Sequence, residues 1–134
     1  MNKLISFTDG GARGNPGPAG IGAVLYDENK VMVAEISEYL GVATNNQAEY
    51  KALIAALKKA LELGASELDC YLDSELVVKQ LKREYKVKNQ DLAPLFLIIH
   101  NLSLNFKKIS YTHVPREKNQ EADRLANEAM DRGK

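Results

Sequence analysis

Apolar and polar positions alternate from the start of the chain, Leu4, Ser6 and Thr8 against Ile5, Phe7 and Asp9. This period of two predicts a strand that runs into Gly10-Gly11. Ile21–Tyr26 and Val31–Ile36 read as two further strands, joined by Asp27-Glu28-Asn29-Lys30, a connection of hairpin length. At Asn45 the period changes to that of a helix, with Leu53, Ala56, Leu57, Ala60 and Leu61 on one stripe and Gly64 as its stop. Glu67–Asp73 then reads as a strand, Glu75–Arg83 as a short helix, and Asp91–Leu104 as a helix with Leu92, Leu95, Phe96, Ile99 and Leu102 inward. Ile109–Val114 is the fifth strand, and Asn119–Asp131 a closing helix with Ala122, Ala126, Ala129 and Met130 on one side. The order βββαβααβα predicts an α/β fold in which helices cover a mixed sheet.

Composition narrows this picture. The 134 residues form no internal repeat and show no boundary, so residues 1–134 are expected to be a single domain. Lys and Arg together number 18, as do Asp and Glu, which argues against a polyanion binder held by bulk charge. The charge is nevertheless segregated: Lys79, Lys82, Arg83, Lys86 and Lys88 form a basic run that is either a contact for phosphates or a solvated face. The lone Cys70 cannot form an internal disulfide and alternates with Leu68 and Leu72 as a core residue. No apolar run reaches the ~18 residues of a membrane span, and none at the start resembles a secretion signal. A cytoplasmic protein with no membrane partner is the expectation.

Four carboxylates stand in unusual places. The first and fourth strands, linked through a long helix, are best paired in parallel by a right-handed crossover. That puts Asp9 and Asp73 at one sheet edge, where α/β folds bind ligands. Glu49 lies four residues before Leu53 and seven before Ala56, on the apolar stripe of its helix and, by the predicted boundaries, in its first turn. Asp123 lies three before Ala126 and seven before Met130, at the edge of the last helix's buried side. An unpaired inward carboxylate must take up a proton or a cation. Hard oxygen donors without Cys or His at zinc spacing suit Mg²⁺ or Mn²⁺, and two such ions about 4 Å apart can drive phosphodiester hydrolysis. At any one of these positions, a turn or cap residue is the structural alternative.

The residues carrying these acids resemble ribonuclease H of type 1 over nearly the whole chain. The resemblance rests on Phe7-Thr8-Asp9-Gly10 with Gly14-Asn15-Pro16-Gly17, on Thr44-Asn45-Asn46-Gln47-Ala48-Glu49, on Leu72-Asp73-Ser74, and on the run from His113-Val114-Pro115-Arg116 to Ala122-Asp123. It implies a five-stranded mixed sheet and a two-metal endoribonuclease that cuts RNA in RNA/DNA hybrids and leaves 5′-phosphate and 3′-hydroxyl ends. Asp9, Glu49, Asp73 and Asp123 would be the metal-binding catalytic set. The resemblance further implies RNA contacts at Gly10, Gly11, Asn15, Asn45, Asn46 and Gln47, and a DNA phosphate held at Thr44 and Asn89. Helix capping is the alternative for Thr44, Asn45 and Asn89. His113 matches a mobile histidine suited to proton transfer or product release, or is structural, and Arg116 competes with it as a group that holds the scissile phosphate.

The chain lacks the basic, Trp-containing insertion of better-known bacterial members. Hybrid affinity is therefore expected to be weaker, more salt-sensitive or lent by an accessory hybrid-binding partner, with the chain itself monomeric. A non-catalytic hybrid-binding module and an integrase-like DNA nuclease are the rival readings. The four acids speak against the first and the Asn-rich readers against the second.

Overall fold

The computed structural model describes residues 2–134. Five strands, β1 (Lys3–Ala12), β2 (Gly17–Asp27), β3 (Met32–Ala43), β4 (Glu67–Leu72) and β5 (Lys108–His113), form one sheet in the order β3-β2-β1-β4-β5. The first three pair antiparallel, whereas β1–β4 and β4–β5 pair in parallel, which makes the sheet mixed as predicted. The helices are α1 (Asn45–Glu62), α2 (Glu75–Leu81), α3 (Ala93–Ser103) and α4 (Gln120–Arg132), with a short 3₁₀ turn over Arg116–Lys118.

Leu4, Leu53, Leu57, Leu68, Leu72, Val77 and Ile99 are buried in the main core, where α1 and α3 meet the sheet. Cys70 lies in it as a fully buried thiol. On the other face, α4 packs over β2, and Phe7 stacks on Tyr71 at 5.1 Å and meets Tyr26 edge-on at 5.9 Å in a groove beside the start of α4.

Three boundaries differ from the sequence expectation. The second strand begins at Gly17 rather than Ile21: β1 and β2 pair through Ala12↔Ala19, and only residues 13–16 lie between the strands. Glycines in these strands serve close packing. A Cβ on Gly10 would strike the backbone of Ala48 and come within 2.6 Å of Glu49 N, so α1 is seated directly on β1. A Cβ on Gly22 would strike Ala122 O and come within 2.7 Å of Ala126 N, so α4 is seated as tightly on β2. The third strand extends to Ala43, its apolar pattern interrupted by Glu35 and Glu38 because it is an edge strand. The third helix begins at Ala93 rather than Asp91, since Pro94 favours the first turn and Asn89 Oδ1 accepts the Asp91 N–H in the turn before it.

Candidate active site

The site follows from a mismatch in strand length. The β1–β4 ladder ends at Thr8↔Leu72, while β1 continues to Ala12 paired with β2. Asp9 follows the last rung on β1 and Asp73 follows it on β4. The Gly10 seat brings Glu49 to the same place from α1. Ligand oxygens of Asp9, Glu49 and Asp73 lie within 4.8 Å of one another. They sit in a cleft of about 500 Å³ that is also lined by Gly10, Gly11, Asn45, Arg116, Asp123, Asn127 and Met130.

The electrostatics are hostile to ionisation. Asp9 and Glu49 are each only 8% exposed. Burial, then the charges of Asp73 and Asp123, push the Asp9 carboxyl up to about 8. Burial and the neighbouring Asp9 and Asp73 raise Glu49 well above the usual carboxylate range, although a hydrogen bond from the Gly10 backbone opposes this. Glu49 Oε2 is buried with no hydrogen-bond partner among the described residues. An orphaned carboxylate oxygen facing two further acids fits a bound divalent cation, whose charge would replace the missing donors. The helix dipole gives Glu49 less help than the sequence suggested: Thr44 caps α1 and Asn45 is its first residue, so Glu49 falls beyond the first turn.

Asp123 is partly exposed on α4, beside Asp9 but outside the three-carboxylate group. Its Oδ1 lies 3.8 Å from Arg116 Nη2. The structure therefore brings Arg116 and Asp123 to the mouth of the cleft. His113 is exposed at the end of β5, opposite Leu72 in the ladder, and does not line the cleft.

The polar residues at the rim are already half engaged. Asn45 Oδ1 accepts the Ala12 N–H at 2.8 Å, and Asn15 Oδ1 accepts the Asn45 N–H at 3.0 Å. Each carbonyl is occupied, so each NH₂ remains a pure donor. Thr44 and Gln47 form a reciprocal capping box, which makes both of them cap residues. Asn46 is half-buried on the first turn of α1, and Asn89 is exposed some distance along the chain in the loop before α3.

One contributor was not among the sequence candidates. Asn119 is 1% exposed and donates through Nδ2 to Thr8 O at 2.8 Å and to Asp73 Oδ2 at 3.1 Å. In sequence it reads as an ordinary helix cap, yet its side chain makes no cap hydrogen bond. No local pattern distinguishes the two roles.

The mixed sheet, with acids meeting where its parallel strands end, places the molecule in the ribonuclease H-like class of α/β proteins. The family model described as reverse transcriptase-like matches residues 7–129. The RNase H1 of the archaeon Halobacterium salinarum superposes with a TM-score of 0.95 at 44% identity, over 98% of this chain and 99% of that one. A compost-derived LC11-RNase H1, solved in complex with an RNA/DNA hybrid, gives a TM-score of 0.92 at 46% identity over 96% and 97% of the two chains. A bifunctional protein of Mycobacterium tuberculosis is 48% identical over 130 residues, which are 96% of this chain but only 36% of that protein. The chain thus spans about a third of the length of this mycobacterial relative. The chain belongs to the type 1 ribonuclease H family.

Proposed function

We propose that the chain is an endoribonuclease that hydrolyses the RNA strand of RNA/DNA hybrids, with two divalent cations, Mg²⁺ or Mn²⁺, held by Asp9, Glu49, Asp73 and Asp123. The observation that carries this reading is the convergence of three carboxylates within 4.8 Å, one with an orphaned buried oxygen, on the floor of an open cleft. When bound, the cations would supply an activated water and stabilise the leaving 3′ oxygen.

The protein's own groups do the rest. The occupied carbonyls of Asn15 and Asn45 leave donors that suit the 2′-hydroxyls and minor-groove acceptors of RNA. Gly10 and Gly11 present side-chain-free backbone to the same strand. Arg116 supplies a guanidinium for the scissile phosphate at the cleft mouth, and His113, exposed beside it in the chain, is placed to exchange protons with solvent or to ease product release. The hydroxyl hydrogen of Thr44 and the amide of Asn89 remain free to hold a phosphate of the DNA strand. The exposed basic run from Lys82 to Lys88 extends that contact, with an accessory hybrid-binding partner supplying affinity that the missing insertion does not. The proposed enzyme works as a monomeric single domain in the cytoplasm; among the described residues no helix is long and apolar enough to cross a membrane.

The test is cleavage of end-labelled RNA annealed to DNA, against RNA/RNA, DNA/DNA and single strands, with Mg²⁺, Mn²⁺ or chelator. Metal-dependent cutting of RNA in the hybrid alone is expected. Binding without cutting under every metal condition would make the chain a non-catalytic hybrid-binding module instead.

Two further outcomes follow from the geometry. Asn45→Asp keeps the acceptor for Ala12 N–H but replaces a donor with a negative charge. It is expected to raise KM for the hybrid about tenfold with little change in kcat, the loss of roughly one hydrogen bond to substrate. Steady-state kinetics read the split; an unchanged KM removes Asn45 from the RNA interface. Protons and cations compete for Asp9, so apparent Mn²⁺ affinity is expected to climb with pH and level off above about 8. Calorimetric titration across pH 6 to 9 measures this, and a flat profile contradicts it.

A further inference from the structure

Asn119 joins three parts of the chain that carry acids. Its amide Nδ2 reaches Thr8 O, the residue before Asp9 on β1, and Asp73 Oδ2 beyond the end of β4. Its backbone carbonyl accepts the Asp123 N–H at 3.1 Å, and its own N–H donates to Arg116 O at 2.9 Å. The side chain is almost wholly buried, and its Oδ1 finds no partner among the described residues. An asparagine so placed carries a desolvation penalty that a helix cap facing solvent would not. The side chain makes no cap bond, so the cost is not offset by capping α4.

The two Nδ2 bonds share one donor group between a main-chain carbonyl, which is fixed by the sheet, and a carboxylate, which is not. The main-chain bond fixes the amide plane. The second bond then fixes the rotation of the Asp73 carboxyl, occupying Oδ2 and leaving Oδ1 as the oxygen free of this bond. A donor is required here: an acceptor in the same position would repel both groups.

We propose that Asn119 is a positioning residue for the carboxylate centre, orienting Asp73 for cation binding while it locks the start of α4, and with it Asp123, to β1 at Thr8. The inference rests on the cation-binding reading of the site given above. Residues that orient metal ligands through hydrogen bonds typically change affinity about 10- to 100-fold when removed.

The experiment compares Mn²⁺ titration of the metal-free wild type with Asn119→Ala and with Asn119→Leu, which keeps the bulk but removes the donor. Both variants are expected to bind Mn²⁺ at least tenfold more weakly per folded molecule and to need more Mn²⁺ for half-maximal cleavage, with KM for the hybrid unchanged at saturating metal. Adding Asn119→Ala to Asp73→Asn is expected to weaken Mn²⁺ binding by clearly less than Asn119→Ala does in the wild type, because the part that acts through Asp73 is already lost. A variant that melts earlier but binds Mn²⁺ as the wild type does would reduce Asn119 to packing and overturn the proposal.

A second measurement needs neither a metal nor a folded Asn119 variant. In ¹⁵N-labelled metal-free protein, the Asn119 side-chain amide is expected to be protected from exchange and to shift on Asp73→Asn. An amide that exchanges freely and ignores that substitution overturns the inference. If the wild type itself binds no divalent cation, the cation reading fails, while this measurement still decides whether Asn119 holds Asp73.

Discussion

Asp9→Asn is expected to abolish hydrolysis and, in the absence of metal, to make the protein harder to melt. The loss of activity follows from removing a charge from the proposed cation site at almost constant shape, and a fall of roughly 1,000-fold corresponds to ~4 kcal/mol. The gain in stability follows from burial. The Asp9 carboxyl is held at about 8 in the folded state against 3.8 for the ordinary group, so between these values the native chain carries a proton that the unfolded chain has released. Stability tied to this group is fully present below pH 3.8 and drains away as pH rises through about 8. Asparagine cannot ionise and escapes the loss. At pH 8 in chelator the variant is expected to gain up to ~5 kcal/mol, about four pKa units of differential protonation. A rise in Tm of about 5 to 10 °C is well within that bound. The gap should close as pH falls toward 4. Mg²⁺ should raise the Tm of the wild type more than that of the variant, because only the wild type binds it well. Thermal melts at pH 4, 6 and 8, with and without Mg²⁺, measure all of this. A variant no more stable than wild type at pH 8 would show that the Asp9 carboxylate is not under the strain its surroundings imply.

Gly22→Ala is the second large effect, and it works through backbone packing at a residue that lies opposite Asp9 in the β1–β2 ladder. The new methyl would collide with Ala122 O and lie 2.7 Å from Ala126 N and 2.9 Å from Leu125 Cβ. Two of these three atoms are main chain, so no rotamer change relieves the clash and α4 must lift from β2. A cost of about 3 kcal/mol is expected, at the upper end for an overpacked core, with a Tm lower by about 10 °C. Because α4 carries Asp123 and begins beside Asn119, the folded fraction should also be less active, with a raised Mn²⁺ requirement. Ser37→Ala provides the contrast. It removes a hydroxyl that donates to Leu125 O from the same side of α4 but introduces no bulk, and should cost no more than about 1 kcal/mol with activity kept. Denaturant melts scored beside cleavage rates separate the two, and a fully active, stable Gly22→Ala would show that α4 is not seated on the sheet through this glycine.

Much of the candidate site could be read before any fold was known, because its carboxylates violate the pattern around them. Glu49 interrupts an apolar stripe, and Asp9 and Asp73 each follow an apolar strand. Such breaks are visible to periodicity alone, and they predicted inward acids where the structure has Asp9 and Glu49 buried and Asp73 half-buried. The glycines misled for the converse reason. Gly10 and Gly20 suggest turns to a local reading, whereas they lie within β1 and β2 under helices that come from 38 to more than 100 residues further along the chain. Nothing in the neighbourhood of a glycine records which distant backbone will press against it. Thr44 and Gln47 were candidates for substrate contacts, and their capping box shows a local role that the sequence held open as an alternative for Thr44 but not for Gln47.

The sequence by itself determined the element order, the class of fold and which acids break the apolar pattern, since each depends on side-chain periodicity and on residues close in the chain. Only the tertiary structure decided that β1 outruns β4, that Glu49 stands beyond the helix's first turn, and that three carboxylates meet within 4.8 Å while Asp123 stands apart. It alone separated Asn119 from an ordinary cap. The reason is physical: desolvation, mutual repulsion of buried charges and the sharing of one amide between two strands are properties of groups distant in sequence, and they come into being only when the chain has closed around them.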